Sequence, residues 1–428
     1  MNRRRLIGLL AAAAAVLPGA CATLDPATVA RPGAEVVRYD NALWWTPEGF
    51  QPGTRFVAAG RFVADPGRPA TRTVDLGGAW ITPPFAEAHN HNLEDAANAR
   101  AVSDAYLEAG ILYVKNPNSR ATATPGGRAL VNRPDTVDAV FSMGGITAPG
   151  GHPIRLYGML SGYYGAARPG ESFEGDAFNL VTSAGQIDGV VTALQGQGAD
   201  FLKLYLLGSE HHDARAHDAA FYGLKGLDPT LAPAIVAAAH ARGLRVSAHV
   251  ETAADFRVAV GAGVDEINHL PGYAWERGAT AETYRLTEAD ARAAAAAGTV
   301  VVTTTVISTG FGMAPARLAE VRALQTENLR RLHAAGVTLA IGSDSFQTNA
   351  VAEVANLQGL DVFPTPVLLH LWIDTARATI FPDRRIGRLE PGYEANFLVL
   401  EADPSRDLAT PPVVRAIHKA GVDVKPRR

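Results

Sequence analysis

Residues 245–270, RVSAHVETAADFRVAVGAGVDEINHL, contain two short apolar segments on either side of an Ala-rich segment. The first and last segments have the length and composition of buried strands, and 253–262 has the composition of a helix. A strand, a helix and a second strand in this order form the βα unit of a parallel sheet. His249 and His269 end the two strands, so the unit also places polar groups at one edge of the sheet.

The same alternation recurs along the chain from Trp80 onward. Strands are predicted at 80–88, 111–115, 138–143, 201–207, 245–250, 266–270, 299–305 and 338–342. Helices are predicted at 94–109, 230–242, 253–262, 287–297 and 317–335. Eight such units over about 250 residues are typical of a (β/α)8 barrel. We therefore predict an α/β fold with a TIM-type barrel over 80–382, in which the Gly-rich segment 144–200 forms irregular loops over the active face.

Short β-rich pieces with turn residues precede and follow the predicted barrel. Arg55-Phe56-Val57-Ala58 is one of them, and 386–401 with its Pro391-Gly392 turn is another. We predict a small β-sandwich domain formed from both chain ends, 33–79 and 383–425.

The composition excludes several classes of protein. Of the 428 residues 47% are hydrophobic and 19% are charged, which is typical of a globular chain rather than a disordered one. The net charge of -4 gives no electrostatic reason to bind nucleic acid or an anionic membrane. The expected partner is a small molecule or a short peptide.

The amino terminus has the pattern of an export signal. Arg3, Arg4 and Arg5 precede an apolar run over 6–17, which is too short to span a bilayer. We predict a signal peptide over 1–22 and an exported protein, either periplasmic or an outer-membrane lipoprotein. The single cysteine, Cys21, stands where a lipid-bearing cysteine would, although ordinary cleavage near it is the competing interpretation.

The ends of the predicted strands carry the candidate metal ligands, because catalytic groups of parallel barrels lie at the carboxyl ends of their strands. His89-Asn90-His91 ends the first strand, and the period of two places both imidazoles on one face. His249, His269 and Asp344 end three later strands. Each alone has a structural explanation, as a core histidine or a helix cap, whereas together they indicate a metal site.

Lys203 lies inside the apolar run FLKLYLL at 201–207. Burial makes an unpaired ammonium very costly. A deprotonated lysine can react with carbon dioxide to give a carbamate, whose two oxygens can bridge two divalent ions. The alternative is a lysine paired with a buried carboxylate.

The order of these residues resembles the amidohydrolase superfamily of binuclear metal-dependent hydrolases: His-x-His, a carboxylated lysine, two histidines and an aspartate. Segment 387–400 is similar to the closing segment of that family, and the resemblance covers nearly the whole mature chain. Gly150-Gly151-His152 and 198–203 are similar to segments of imidazolonepropionase-like and Xaa-Pro-dipeptidase-like members. Glu87 and Asn396 depart from the usual aspartates.

The resemblance implies two divalent ions, with zinc as the expected metal. His89, His91 and Asp344 would hold one ion, and His249 and His269 the other. The Lys203 carbamate and a hydroxide would bridge them, and Asp344 would pass a proton from the hydroxide to the leaving amine. The implied reaction is hydrolysis of the C–N bond of an amide, cyclic amide or peptide.

Three further residues are candidate substrate contacts: His152, Glu251 and Tyr222. Glu251 is two residues past His249, and its carboxylate disfavours a substrate with a free carboxylate. Tyr222 lies in the loop after the fourth strand, where a solvated rim is the alternative. A homo-oligomer is expected. Two other functions stay open, a mononuclear deaminase that does not need Lys203 and a non-catalytic envelope binding protein.

Overall fold

The computed structural model describes residues 35–425, so the predicted signal peptide and Cys21 lie outside the described residues. The strands are β1 (Val36–Thr46), β2 (Gly49–Ala58), β3 (Arg61–Val63), β4 (Arg72–Thr82), β5 (Phe85–Glu87), β6 (Ile111–Asn116), β7 (Asp138–Phe141), β8 (Gly145–Thr147), β9 (Phe178–Leu180), β10 (Phe201–Tyr205), β11 (Arg245–His249), β12 (Glu266–Asn268), β13 (Val300–Val302), β14 (Leu339–Ala340), β15 (Phe397–Leu400), β16 (Val414–Lys419) and β17 (Val422–Val424).

The α-helices are α1 (Ala99–Glu108), α2 (Thr124–Arg128), α3 (Ile154–Leu160), α4 (Ala184–Gly196), α5 (His212–Arg215), α6 (Ala232–His240), α7 (Ala253–Ala262), α8 (Ala281–Tyr284), α9 (Glu288–Ala297), α10 (Pro315–Ala334), α11 (Ala350–Leu360) and α12 (Thr365–Thr375). A π-helix, Ala376–Ile380, extends α12, and a 3₁₀ helix spans Thr305–Phe311. Within 35–425, every helix is too short or too polar to cross a bilayer.

Both chain ends form one sheet of seven strands in the order β17-β16-β15-β4-β1-β2-β3. The sheet folds over an aromatic core around Phe397. The ring of Phe397 stacks on His418 at 4.2 Å and lies 5.2 Å from Tyr39 and 5.9 Å from Phe62. Because Phe62 is on β3 and Phe397 on β15, the fold-over brings distant strands of the sheet together. The predicted small strand domain built from both ends is confirmed.

The passage from this sheet to the barrel occurs at Pro83-Pro84. β4 runs through the predicted boundary at 79 and ends at Thr82, and β5 begins at Phe85. Two successive prolines cannot donate to a sheet ladder, so they end the pairing of β4.

The barrel is built from parallel strands in two hydrogen-bonded groups, β5-β6-β7 and β14-β13-β12-β11-β10-β8-β9. Backbone bonds join the groups: Ala88 donates to Ile341 at 2.9 Å, and Asp200 donates to Phe141 at 2.8 Å. Counting β7 and β8 as one broken strand and leaving out β9, which lies at the end of the second group and pairs with β8, gives eight strands around the barrel. The predicted (β/α)8 fold is confirmed.

The third barrel strand breaks at Met143 and Gly144. Met143 has a positive φ of 57°. A Cβ on Gly144 would lie 2.8 Å from the backbone at Ala177 and Phe178, so only glycine fits this close approach. The prediction that segment 144–200 forms only irregular loops was wrong. The segment contains two strands, β8 and β9, and two helices, α3 and α4.

Candidate metal centre and active site

Three side chains meet where the first and eighth barrel strands end. His89 Nε2 lies 3.2 Å from His91 Nε2 and 3.5 Å from Asp344 Oδ1, and His91 Nε2 lies 3.1 Å from the same Oδ1. The period of two that was predicted for His89 and His91 thus brings both imidazoles to one face. These distances are those of a ligand set around one point.

His269 and His249 continue the cluster on the neighbouring strands. His269 Nε2 lies 3.8 Å from Asp344 Oδ2, and the rings of His249 and His269 are 4.7 Å apart. Thr304 Oγ1 lies 2.8 Å from His269 Nδ1, which orients the ring and leaves Nε2 facing the cluster. His269 and Asp344 both have positive φ, 74° and 51°. Non-glycine residues held in this strained region are concentrated at functional sites.

Lys203 is fully buried below the histidines on β10. Its Nζ donates a hydrogen bond to Oδ1 of Asn268, the last residue of β12. Burial lowers the pKa of Lys203 to about 7, which favours the neutral amine that carbamate formation needs. The structure thus brings Lys203 together with the predicted ligands.

The alternative considered for Lys203, a lysine paired with a buried carboxylate, describes Lys115 instead. Lys115 Nζ donates to Glu266 Oε2 at 2.8 Å, and both side chains are buried inside the barrel. Asn268 Nδ2 donates to Glu266 Oε1 at 2.7 Å. A continuous polar path therefore runs from Lys203 through Asn268 and Glu266 to Lys115.

The donor set fits divalent cations. Ligand atoms about 2.1 Å from a tetrahedral metal are separated from one another by roughly 3.4 Å, and the His89, His91 and Asp344 atoms are 3.1 to 3.5 Å apart. Donor atoms of His89, His269 and Asp344 all lie within 4.8 Å of one another. Burial lowers the pKa of both His89 and His269, so their imidazoles are held in the neutral form that binds metals.

Buried polar side chains support these ligands from behind. Glu87 accepts from the Ser343 and His89 backbone amides at 2.8 and 3.1 Å. Asn90, on the other face from its histidine neighbours, donates to Ser343 Oγ at 3.0 Å. Such contacts fix the ligand-bearing strands relative to each other.

The cluster forms the floor of a cavity of about 340 Å³. His152 lies in its wall, where its ring stacks on His249 at 5.0 Å. Burial, reinforced by His249, lowers the pKa of His152 to about 3. Glu251 also lines the cavity and accepts from Tyr273 Oη at 3.2 Å. Burial raises the pKa of Glu251 to about 7.

Tyr222 is the one candidate that does not line this cavity. It packs against the small apolar cluster of Ile154, Tyr157 and Phe173. Burial and a hydrogen bond with Glu171 raise the pKa of Tyr222 to about 12. Its place in the sequence indicated the correct loop, but the direction of a loop side chain depends on tertiary packing.

Several cavity residues were missed by sequence reasoning. They are Glu94, Asn118, Leu156, Tyr157, Leu160, Tyr164, Tyr205, Tyr273, Ile307, Phe311 and Phe346. Tyr205 had a signal, since it is two residues past Lys203 and therefore shares its face. The others lie in loops and short helices beyond the strand ends, where the strand period of two no longer applies.

The family model for the amidohydrolase family matches residues 193–417. Comparison with curated proteins returned no match. Among solved structures, the ochratoxinase of A. niger superposes with a TM-score of 0.70 at 18% identity, covering 92% of this chain and 96% of that one.

Two further solved structures have similar folds. A prolidase complexed with N-methylphosphonate-L-proline gives a TM-score of 0.66 at 20% identity, with 92% of this chain and 100% of that chain covered. A Xaa-Pro dipeptidase with bound methionine gives 0.68 at 16% identity, with the same coverage. These likenesses establish the fold. The family match spans more than half of the sequence, and the chain belongs to the amidohydrolase family of metal-dependent hydrolases.

Proposed function

We propose that the protein hydrolyses the C–N bond of an amide, cyclic amide or peptide by means of two divalent ions, with zinc as the expected metal. The observation that carries this proposal is the convergence of four imidazoles, one carboxylate and a buried lysine at the carboxyl ends of five barrel strands. The A. niger ochratoxinase, the prolidase and the Xaa-Pro dipeptidase support hydrolysis of C–N bonds on this fold.

Each residue has a defined task in the proposal. His89, His91 and Asp344 hold one ion, and His249 and His269 hold the second. Lys203, carboxylated by carbon dioxide with loss of one proton from Nζ, supplies the anionic group shared by both. When bound, the ions lower the pKa of water toward neutrality and polarise a carbonyl.

Asp344 is the proposed proton carrier. Its carboxylate faces the cavity floor between His91 and His269, so it can accept a proton from the attacking water and deliver it to the leaving amine. In this proposal the neutral His152 ring, which stacks on His249, donates to the substrate carbonyl.

Export and assembly are also part of the proposal. The amino-terminal pattern supports an exported enzyme, periplasmic or anchored to the outer membrane at Cys21, and we expect a homo-oligomer. Mass spectrometry of the mature amino terminus and the mass of the protein in solution test these two expectations.

The reaction itself is tested by metal analysis and amide hydrolysis. The proposal predicts two ions per chain and hydrolysis of simple amides. It also predicts that Lys203→Ala and Asp344→Asn each lose the metal and the hydrolytic activity. Lys425→Ala and Asp188→Asn, at exposed positions that do not line the cavity, serve as controls. One ion per chain, with ammonia release that survives Lys203→Ala, would instead identify a mononuclear deaminase.

A further inference from the structure

The upper wall of the cavity is apolar, in contrast to its floor. Three separate segments supply large hydrophobic side chains to it: α3, the 3₁₀ helix Thr305–Phe311 and the loop after Asp344. The side chains are those of Leu156, Leu160, Ile307, Phe311 and Phe346.

Two of these side chains are unusually exposed. Phe311 is 49% and Phe346 is 57% accessible to solvent. Phe346 stacks on the metal-ligand candidate His91 with ring centroids 5.8 Å apart, and Phe311 lies 6.1 Å from Tyr273. Exposed aromatic rings grouped at one cavity indicate a surface that a ligand covers. A bulky apolar group would bury both rings.

The charges of the cavity are mainly acidic. Glu94, Glu251 and Asp344 line it, and within the described residues Lys203 is the only lysine or arginine that does so. Arg120 Nε pairs with Glu94 Oε1 at 3.0 Å. The ion pairs found within 35–425 include none between Glu251 and a lysine or arginine; the basic side chain nearest its carboxylate there is the His249 imidazole at 3.5 Å, which burial keeps neutral by lowering its pKa to about 3.

This distribution disfavours a substrate that carries a carboxylate away from the reacting bond. Such a group would lose its hydration against an apolar wall without an arginine or lysine to bind it. It would also face the Glu251 side chain. A neutral amide avoids both costs.

We propose that the enzyme acts on small, carboxylate-free amides that carry a bulky apolar or aromatic group, with Phe311 and Phe346 selecting that group and Glu251 excluding anions. The cavity volume of about 340 Å³ is at the small end of the roughly 300–1,000 Å³ typical of ligand sites. This inference rests on the proposed amide hydrolysis and specifies its substrate class.

The test uses the metal-loaded protein and three compounds: N-acetyl-L-phenylalaninamide, N-acetyl-L-phenylalanine and N-acetyl-L-alaninamide. Release of acetate and of ammonia together measures hydrolysis of the two amide bonds, and the ligand-induced rise in Tm measures binding without turnover. We expect kcat/KM for the phenylalaninamide to exceed that for either other compound by about tenfold or more, which corresponds to about 1.4 kcal/mol. The Tm rise should follow the same order.

Variants separate the two determinants. In Glu251→Gln, the rise in Tm with N-acetyl-L-phenylalanine should become closer to the rise with N-acetyl-L-phenylalaninamide. The preference for N-acetyl-L-phenylalaninamide over N-acetyl-L-alaninamide should not change. Phe311→Ala and Phe346→Ala should narrow the phenyl-to-methyl difference instead. Met159→Ala, an exposed position on α3 outside the cavity lining, is the matched control and should change neither.

The outcomes distinguish this inference from the proposed function. Hydrolysis or binding that is equal for the three compounds, or stronger for the free acid, overturns the substrate class alone. Ordered Tm rises without hydrolysis of any amide support the binding preference and contradict amide hydrolysis. Absence of any Tm rise and of any hydrolysis contradicts both.

Discussion

Glu87 and Ser343 join the first and the eighth strand segments of the barrel through two hydrogen bonds. The carboxylate accepts from the Ser343 amide at 2.8 Å and from its hydroxyl at 2.7 Å, and both residues are fully buried. Since His89 is two residues after Glu87 and Asp344 follows Ser343, this contact sets the spacing of two candidate metal ligands. Glu87, noted in the sequence as a departure from the usual aspartate, reaches this position with its longer side chain.

Replacing Glu87 by alanine should therefore reduce both stability and metal binding. The buried amides of His89 and Ser343 would lose their acceptor, which costs roughly 1–3 kcal/mol for each unsatisfied group. Urea unfolding measures the stability, and metal analysis of the purified variant measures binding. Glu288→Ala, with a largely exposed carboxylate on α9, is the control, and equal stability of the two variants would contradict the role given to Glu87.

Asn268 should control the carboxylation of Lys203. Its Oδ1 accepts a hydrogen bond from Lys203 Nζ, and its Nδ2 donates one to Glu266 Oε1 at 2.7 Å. In Asn268→Ala we expect a weaker carbamate signal in ¹³C NMR after incubation with ¹³C-bicarbonate. Metal affinity should fall by about 10–100-fold, as for other groups that orient ligands.

The exposed Asn98→Ala variant provides the comparison for Asn268→Ala. A full carbamate signal in Asn268→Ala would show that Lys203 is positioned without this contact.

The Lys115–Glu266 pair should be strongly coupled. Removing one partner leaves an uncompensated charge in the barrel interior, so Lys115→Met should cost about 3–5 kcal/mol of unfolding free energy. Lys115→Met/Glu266→Gln should recover part of that loss. A double-mutant cycle from urea unfolding measures the coupling, and strictly additive effects would contradict it.

Metal removal should destabilise the fold. Ions that bind only the folded chain stabilise it by about 4 kcal/mol at a concentration 1,000 times Kd. Dialysis against a chelator should lower Tm by several degrees, and adding Zn²⁺ with bicarbonate should restore it. If metal analysis shows that the dialysed protein contains no metal and its Tm is unchanged, bound metal does not stabilise the fold.

The interior of the barrel strands could be predicted from the sequence because a strand has a period of two. Phe201, Lys203 and Tyr205 of β10 all face inward: Phe201 contacts Lys115, and the other two line the cavity. Ser247 and His249 follow the same rule on β11, since Ser247 donates to Glu266 and His249 lines the cavity. Local geometry alone decides these directions.

The direction of His269 could not be derived in this way. Glu266 and Asn268 of β12 face the interior, so the period would turn His269 outward. The left-handed backbone at His269, with φ of 74°, returns its ring to the cavity. This conformation is stabilised by surrounding tertiary structure, which a strand pattern does not contain. The aromatic wall of the cavity was missed for the same reason, because Phe311 and Phe346 are brought together only by the completed barrel.

The shared sheet of the two chain ends also has a kinetic consequence. Tyr39 Oη donates to the Gly421 carbonyl at 3.3 Å across 382 residues of sequence. At about 5–20 residues per second, synthesis of the intervening chain takes roughly 20–75 seconds. During that interval β4 has no β15 beside it, and the aromatic face of Tyr39 and Trp44 lacks Phe397. The beginning of this protein must therefore be kept from aggregating until its last strands have been made.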